Sequence, residues 1–342
     1  MRDDEGVPAN VTPEYKAAEA AYKTARDPAE RLQLLREMLR AIPKHKGTEH
    51  LQADIKTRIK DLTDQLTGPR KGGARTGPAT VIRPEGAAQI ALVGPPNSGK
   101  SALHAALTHS HAVSKPYPFT TQYPLPGMMP FEDVGLQLID LPPISVTHPV
   151  RWIRDALQPA DGCLLVVDLT RPGCTEEMVA LGEALRDRNV LLSPDWGPAG
   201  QAAGEGDPFT KILPAVLVAA KVDDGPEPAA EAEALQELAG SRYPVLAVSA
   251  NTGRGLENLA RWLVASLGIV RVYTKIPGMP PDRGRPYTVR RGQTVGDVAA
   301  IVHREIAARL KYARIWGRGT IDGQQVGRDH VVADGDIVEL HS

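Results

Sequence analysis

Residues 94–101 of this 342-residue chain place glycines, a lysine and a serine at the spacing of a phosphate-binding loop. The stretch is Gly-Pro-Pro-Asn-Ser-Gly-Lys-Ser, after an apolar run at 90–93 and before a helix-forming segment at 102–108. A strand, a glycine-containing loop and a helix in this order let backbone N–H groups converge on phosphate oxygens at the helix N-terminus. We predict a P-loop here; a chance glycine turn is the alternative.

Individual residues of this loop have distinct predicted roles. Lys100 is expected to bind the β- and γ-phosphates and to act in catalysis, and Ser101 is expected to ligate Mg²⁺. The predicted nucleotide contacts in the segment are Gly94, Asn97, Ser98, Gly99, Lys100, Ser101 and Ala102.

Apolar runs that alternate with helical stretches surround the loop. The runs lie at 90–93, 136–141, 163–167, 215–219 and 245–248. Apolar strands separated by helices are typical of a parallel sheet covered on both faces. We therefore expect an α/β P-loop NTPase domain with a doubly wound sheet at 81–268, interrupted by an exposed loop at 193–210.

Helical patterns occupy residues 12–66, ahead of this domain. An Asp-Pro-Ala-Glu capping signal at 27–30 starts one amphipathic stretch, and a second follows a break at 43–47. We expect a helical hairpin over 12–66 and a linker rich in Gly and Pro at 67–80.

The last part of the chain, 269–342, has a different pattern. Strand-like segments at 271–274, 285–290 and 337–340 surround one predicted helix at 295–310. Short strands around a single helix predict a compact α+β domain.

Further motifs follow the P-loop in the order found in GTPases. They are Tyr-Pro-Phe-Thr-Thr at 117–121, Asp-Leu-Pro-Pro at 140–143, Ala-Lys-Val-Asp at 220–223 and Ser-Ala-Asn at 249–251. The last three lie at strand ends, where a doubly wound sheet gathers its ligand contacts. Each motif is weak alone, but the ordered series indicates a GTPase.

With these motifs the chain resembles the Obg-like translation-factor GTPases, and within them the developmentally regulated GTP-binding (DRG) family. At the C-terminus, Val-Tyr-Thr-Lys at 272–275, Lys-Tyr-Ala-x-x-Trp-Gly at 311–317 and Val-Gly-Arg-Asp-His at 326–330 resemble that family's TGS domain, a β-grasp module. Residues 43–75 look like the family's N-terminal region, so the resemblance spans 43–342.

The resemblance implies GTP or GDP as the ligand, with Mg²⁺, and gives roles to further residues. Thr121 would be the switch threonine that meets Mg²⁺ and the γ-phosphate during catalysis, and Asp140 would hold Mg²⁺ through water. Asp223 would accept both guanine N–H donors, and Lys221 would pack on the base. The remaining implied base contacts are Ser249, Ala250 and Asn251.

Two positions and one short segment depart from the family pattern. Ala220 stands where the guanine motif has Asn, so a side chain that braces the base is missing. Pro143 stands where the third motif has Gly, and proline has no N–H to donate. Ile144 follows, where many GTPases have a water-orienting Gln, but the family also carries an apolar residue there, so this residue is not a departure. The stretch after it, at 145–149, is short and lacks the glycine-rich switch of the Obg relatives. These departures predict weaker nucleotide binding and slow hydrolysis.

Composition is that of an ordinary globular protein, with 42% hydrophobic residues, 24% charged residues and a net charge of −1. The N-terminus lacks the apolar core of a signal peptide, and no apolar stretch is long enough to span a bilayer. Cys163 and Cys174 have no partners at metal-ligand spacing, which favours reduced thiols. We expect a cytoplasmic protein with no membrane partner.

Two regions have a positive local charge balance. Residues 44–75 hold eight Lys/Arg against four Asp/Glu, and residues 270–342 hold twelve against eight, so each nets +4. Solvated faces explain such balances as well as RNA contacts do. With the family resemblance, the ribosome or RNA is the expected partner. A protein bound through the N-terminal helices or the TGS domain is the other candidate.

Three histidines lie close together in the sequence, at His104, His109 and His111. They could form a metal site, but the i, i+5 spacing of the first two does not put both on one helix face. Ordinary surface polarity is the favoured interpretation.

Two functions remain open at this point. The first is GTP binding with slow, Mg²⁺-dependent hydrolysis near the ribosome or RNA. The second is a nucleotide-binding pseudo-GTPase scaffold that acts through protein or RNA interaction without turnover. Release of phosphate distinguishes the two.

Overall fold

A computed structural model of the chain describes residues 12–25, 27–43, 48–67, 79–109, 123–144, 150–168, 171, 173–197, 210–223, 243–319 and 321–342. The motif at 117–121 lies outside these residues. So does the predicted linker at 67–80, except for residues 67, 79 and 80.

The N-terminal unit is helical. Its described helices are α1 (Pro13–Thr24), α2 (Pro28–Ala41) and α3 (Glu49–Thr67). Thr12 and Asp27 cap the first two by accepting backbone N–H groups. The predicted hairpin corresponds to α2 and α3, and the prediction did not separate α1. The reason is that α1 buries Tyr15, Ala18 and Tyr22 instead of a leucine stripe.

The larger sheet lies in the middle of the chain. Its described strands are β1 (Ala88–Val93), β2 (Leu125–Phe131), β3 (Val134–Asp140), β4 (Gly162–Asp168), β5 (Val190–Ser193), β6 (Lys211–Ala220) and β7 (Val245–Ala247). The strand order is β2-β3-β1-β4-β6-β5, and β7 also pairs with β6. All pairs are parallel except β2–β3. The predicted α/β P-loop architecture is confirmed.

Strand β2 was not predicted, because Pro126 and Pro130 interrupt its sequence. Both prolines are paired in the register of the strand, with Ile139 and Gly135. Proline is tolerated there because β2 is an edge strand, whose outer backbone groups need no neighbouring strand.

Helices cover both faces of the larger sheet. The described ones are α4 (Lys100–Thr108), α5 (Ile153–Leu157), α6 (Cys174–Arg186) and α7 (Leu256–Ser266). Buried aliphatic side chains form one core on each face.

In the predicted exposed loop at 193–210, Pro194, Asp195 and Gly197 are exposed as expected, but Trp196 is half-buried. Trp196 donates from Nε1 to the carbonyl of Ala215 (3.0 Å) and meets the ring of Trp262 edge-on. A buried tryptophan ring needs a hydrogen-bond acceptor for its indole N–H, and the carbonyl of Ala215 provides it. Residues 198–209 lie outside the described part of the chain.

The smaller sheet follows the larger one. Its strands are β8 (Ile269–Thr274), β9 (Asp282–Arg290), β10 (Tyr312–Trp316), β11 (Gln324–Val326) and β12 (Asp336–His341), and the order is β11-β10-β12-β8-β9. Helices α8 (Val295–Val302) and α9 (Arg304–Arg309) replace the single predicted helix. The backbone is extended at His303, whose ring Nδ1 accepts from the N–H of Glu305 and caps the second helix.

Arg271 at the start of the smaller sheet grips the turn between β2 and β3. Its guanidinium contacts Glu132, lies 3.1 Å from Asp133 Oδ1 and pairs with Asp334 at 2.7 Å. Tyr273 donates its hydroxyl to Asp133 as well. Hydrogen bonds from Arg271 lower the pKa of Asp334.

A second arginine joins the sheets at another point. Arg290 Nη2 lies 2.9 Å from Asp161 Oδ1 and 3.2 Å from the carbonyl of Ala87. Two such contacts hold the smaller sheet against one end of the larger sheet.

Within the described ranges, no helix combines the length and apolarity that crossing a bilayer requires. Cys163 and Cys174 are both buried and unlinked.

Arg271→Ala is expected to weaken the docking of the two sheets. A network of several charges is worth more than an isolated surface pair, so we expect a loss of about 1 kcal/mol, or about 2–4 °C in Tm. Scanning calorimetry of the variant measures it, and the loss should shrink in high salt. Arg261→Ala is the control, since Arg261 pairs with Glu257 of its own helix, on the exposed surface of α7. Equal shifts in both variants would contradict the docking role.

Candidate functional site

The loop at 94–101 connects β1 to α4 in a conformation that depends on its glycines. A Cβ at Gly94 would stand 2.4 Å from the carbonyl oxygen of Val166, so only glycine fits there. Asn97 and Gly99 have φ of 61° and 96°, in the left-handed region. These torsions turn the chain directly into α4, which begins at Lys100.

Cationic side chains bind the carbonyl groups on the outside of this loop. The contacts are Lys100 Nζ to Gly94 O (3.0 Å) and Pro95 O (2.8 Å), Arg171 Nη1 to Pro96 O (2.8 Å), and Lys221 Nζ to Asn97 O (3.1 Å). The C=O and N–H of a trans peptide unit point in opposite directions. Pro95 and Pro96 have no N–H group. Binding the carbonyls of Pro96 and Asn97 turns the N–H groups of Asn97 and Ser98 the other way, as an anion-binding loop requires.

Lys100 is buried at the base of the loop, with 5% of its surface exposed. Burial lowers the pKa of its ammonium group to about 8, and the nearby Asp140 opposes this effect. The ammonium is still mostly protonated at pH 7, and an anion bound beside it would favour the charged form further.

Ser101 and Asp140 meet beside Lys100. The Ser101 hydroxyl donates to Asp140 Oδ2 at 2.6 Å, and the carboxyl group is fully buried at the end of β3. Hydroxyl and carboxylate oxygens are the ligand types that Mg²⁺ prefers. Thr121, the third predicted metal ligand, lies outside the described residues.

The segment after β3 is fastened to the P-loop. Pro142 and Pro143 are buried, and the N–H of Ile144 donates to the carbonyl of Gly94 at 3.3 Å. The Ile144 side chain is buried in the core beneath. This segment therefore has little freedom next to the phosphate loop; residues 145–149 lie outside the described part.

A second polar cluster lies at the ends of β6 and β7. Asp223 accepts from the hydroxyl of Ser249 and from Asn251 Nδ2, the latter at 2.8 Å. The hydrogen bond from Ser249, and then that from Asn251, lowers the pKa of Asp223. The buried Ser249 also accepts from the N–H of Thr252 at 3.0 Å. A fixed carboxylate of this kind can accept two parallel N–H donors. Ala250, another predicted contact, is half-buried in the same turn.

Lys221 connects the two parts of the site. It has a φ of 66°, and its ammonium group lies 3.1 Å from the carbonyl of Asn97 and 2.6 Å from Asp168 Oδ2. The preceding Ala220 is buried, with its Cβ 3.5 Å from where a Cβ at Gly99 would stand.

Sequence reasoning missed Asp168 and Arg171. Asp168 ends the apolar strand β4 as Asp140 ends β3, and this shared position was the available signal. Arg171 stands in a segment of no recognised motif, and only its contact with Pro96 reveals it.

The histidine interpretation needs correction. His104 is buried, not on the surface, because the face of α4 that carries it packs under β2; a Cβ at Gly127 would stand 2.7 Å from its ring. Among the described residues, no group of three His, Cys, Asp or Glu side chains could hold a metal ion. His109 caps the end of α4, and His111 lies outside the described part.

Comparison with known proteins identifies the two parts of the chain that contain the sheets. Residues 270–342 match the family model of the TGS domain, and residues 89–193 match that of the 50S ribosome-binding GTPase. GTP-binding protein 1 of Schizosaccharomyces pombe is 26% identical over 91% of this chain and 98% of its own length. Developmentally-regulated G-protein 1 of Arabidopsis thaliana is 26% identical over 91% and 90%. Developmentally-regulated GTP-binding protein 2 of Homo sapiens is 24% identical over 87% and 94%.

The fold and these matches define a P-loop GTP-binding protein with a C-terminal TGS domain. Over most of its length the chain is similar to proteins named developmentally regulated GTP-binding proteins, and the resemblance based on the motifs is confirmed.

Lys100→Ala is expected to lower the affinity for GDP by at least about tenfold, because one charge-assisted contact to phosphate is lost. Isothermal calorimetry measures the affinity. Lys211→Ala is the matched control, since Lys211 Nζ also donates to two carbonyls, those of Gln158 and Ala160, but at the opposite end of β6. Unchanged binding by Lys100→Ala, or an equal loss in the control, would contradict the assignment of the loop.

Asp223→Asn is expected to weaken GDP binding by about tenfold or more and to improve binding of xanthosine diphosphate. The physical reason is that a carboxylate accepts two donors, whereas an amide offers one donor and one acceptor, which suits the N1–H and C2=O of xanthine. Competition of both diphosphates against a fluorescent nucleotide measures the change. A variant that keeps the wild-type preference would show that Asp223 does not contact the base.

Proposed function

We propose that the protein hydrolyses GTP slowly to GDP and phosphate, with Mg²⁺, in the cytoplasm. One observation carries this proposal. Lys100 with the Ser101–Asp140 pair, and the Asp223 cluster, lie at the same edge of one sheet and are linked by the contact of Lys221 with the P-loop. This is the edge at which doubly wound sheets bind nucleotides.

In the proposed complex, the N–H groups of the P-loop and Lys100 bind the β- and γ-phosphates. Ala102 contributes an N–H at the helix start, and Asp223 holds the guanine base with Asn251 and Ala250 alongside. During hydrolysis a water oxygen bonds to the γ-phosphorus while the bond to the bridging oxygen breaks. Lys100 and the loop N–H groups stabilise the charge that grows on that oxygen.

Mg²⁺ fits the oxygen donors that meet at the start of α4. Ser101, Asp140 through water and Thr121 would hold the ion, which would neutralise phosphate charge when bound.

Slow turnover is proposed because of the segment after β3. Ile144 has no polar group with which to orient a water, and its side chain is buried. The rate then depends on phosphate binding and on groups supplied by a partner.

The ribosome or RNA is the proposed partner. Supporting this are the family description of residues 89–193, which names 50S ribosome binding, and the net charge of +4 over 270–342. A protein partner of the N-terminal helices is a further candidate.

A pseudo-GTPase scaffold is the second candidate function. The attachment of Ile144 to Gly94 favours it, because a segment fixed to the P-loop responds little to a γ-phosphate. Phosphate release from GTP by the purified protein with Mg²⁺ tests the two. Release that Lys100→Ala abolishes and Lys211→Ala retains supports hydrolysis. Nucleotide binding with no release above the Lys100→Ala level supports the scaffold.

Pro143→Gly is expected to increase the preference for a non-hydrolysable GTP analogue over GDP by about tenfold, because it adds an N–H that can reach the γ-phosphate. In the wild type we expect affinities within about tenfold of each other. Calorimetry with both nucleotides measures the ratio. Pro142→Gly is the control, since it relaxes the same segment without adding an N–H at position 143. A wild type that prefers the analogue about a hundredfold, or equal ratios in both variants, would contradict this role of Pro143.

A further inference from the structure

We propose that Asp168 is a positioning residue for guanine selectivity, which it exerts by holding Lys221 against the phosphate-binding loop. This inference rests on the proposed binding of guanine nucleotide and adds a residue that no motif assigns.

The geometry around Asp168 joins three segments of chain. Asp168 is the last residue of β4, and its side chain is 4% exposed. Its Oδ2 lies 2.6 Å from Lys221 Nζ, which is itself 3.1 Å from the carbonyl of Asn97. A single ammonium group therefore fastens the end of β4, the P-loop and the start of the 221–223 segment to one another.

The segment that carries Asp223 needs such a fastening. Lys221 adopts a left-handed φ of 66°, which a residue with a side chain holds only where its surroundings enforce it. Ala220 before it has no polar side-chain group to contribute. The approach to the P-loop is also close, since a Cβ at Gly99 would stand 3.8 Å from Lys221 Cε.

The position of Lys221 sets the distance between the base-binding and the phosphate-binding parts of the site. Asp223 follows Lys221 by two residues, and Asn97 belongs to the phosphate loop. The bridge therefore sets where the base-binding carboxylate stands relative to the phosphates. The bridge also holds the peptide group between Asn97 and Ser98. Lys100 keeps its own contacts with the loop, and the N–H of Asn97 is held through Arg171, so neither depends on the bridge.

Loss of the Asp168 carboxylate thus has a distinctive expected effect. Selectivity for guanine over adenine should fall, because Asp223 is no longer held in register with the base. Affinity for the phosphates alone should persist, since Lys100 keeps its own contacts with Gly94 and Pro95. A role confined to stability would lower both together.

The chain contains a matched control at the other end of the same strand. Asp161 precedes β4, its side chain is 3% exposed, and it pairs with Arg290 at 2.9 Å. Asp161→Asn removes a carboxylate of equal burial that also pairs with a cation. It lies away from the P-loop.

The test is calorimetry on the full-length chain with GDP, ADP and tripolyphosphate. Asp168→Asn is expected to reduce the ratio of GDP to ADP affinity by about tenfold, with tripolyphosphate affinity changed by less than about threefold. Asp161→Asn should keep the wild-type ratio. Lys221→Met, a change of a more exposed side chain, should reduce the ratio as Asp168→Asn does, and the double variant should be no worse than Lys221→Met alone.

Each outcome decides between the ideas. A wild type that binds GDP and ADP equally overturns the proposed function itself. A guanine-selective wild type whose ratio survives both Asp168→Asn and Lys221→Met overturns only the positioning role. The same holds if Asp161→Asn lowers the ratio equally, or if losses in the double variant add in full. If Asp168→Asn does not fold, the Lys221→Met ratio alone decides.

Discussion

Binding of the outward carbonyl groups of the P-loop is the constraint on which the rest of the site depends. A loop that offers N–H groups to an anion must find donors for the carbonyls on its other side, since buried backbone groups are costly when unpaired. Three side chains supply these donors. Lys100 belongs to the helix that follows the loop, Arg171 to the segment after β4, and Lys221 comes directly after β6. These contacts connect the ends of neighbouring strands to one loop. The position of the Asp223 cluster therefore depends on the position of the phosphate-binding loop.

Polar contacts of a few side chains also join the two domains. Two arginines of the TGS sheet contact the GTPase sheet. Arg271 contacts the turn between β2 and β3, and Arg290 contacts the residues just before β1 and β4. The turn leads directly into β3, which ends at the buried Asp140. The TGS domain is therefore attached to the strand that carries a proposed Mg²⁺ ligand, so the nucleotide site and the C-terminal domain share one structural element.

Much of the fold could be predicted from the sequence, because apolar runs and the P-loop spacing report directly on buried strands and on a helix N-terminus. Strand β2 could not, since its prolines are acceptable only at a sheet edge, and edge position is a property of the whole sheet. The break at His303 depends on a local cap that no periodicity reveals. The role of Asp168 could not be predicted because it depends on a contact with Lys221, a residue 53 positions away. The burial of His104 likewise follows from β2, an element that the sequence did not disclose.

The central claim is that one ligand spans the P-loop and the Asp223 cluster together. Hydrogen–deuterium exchange of the wild type with saturating GDP tests this most directly, with ADP at the same concentration for comparison. We expect GDP to protect the amides of residues 97–101 and of 249–252 together, and ADP to leave 249–252 unprotected. Protection of the P-loop by GDP with no change at 249–252, or equal protection by both nucleotides, would contradict the claim.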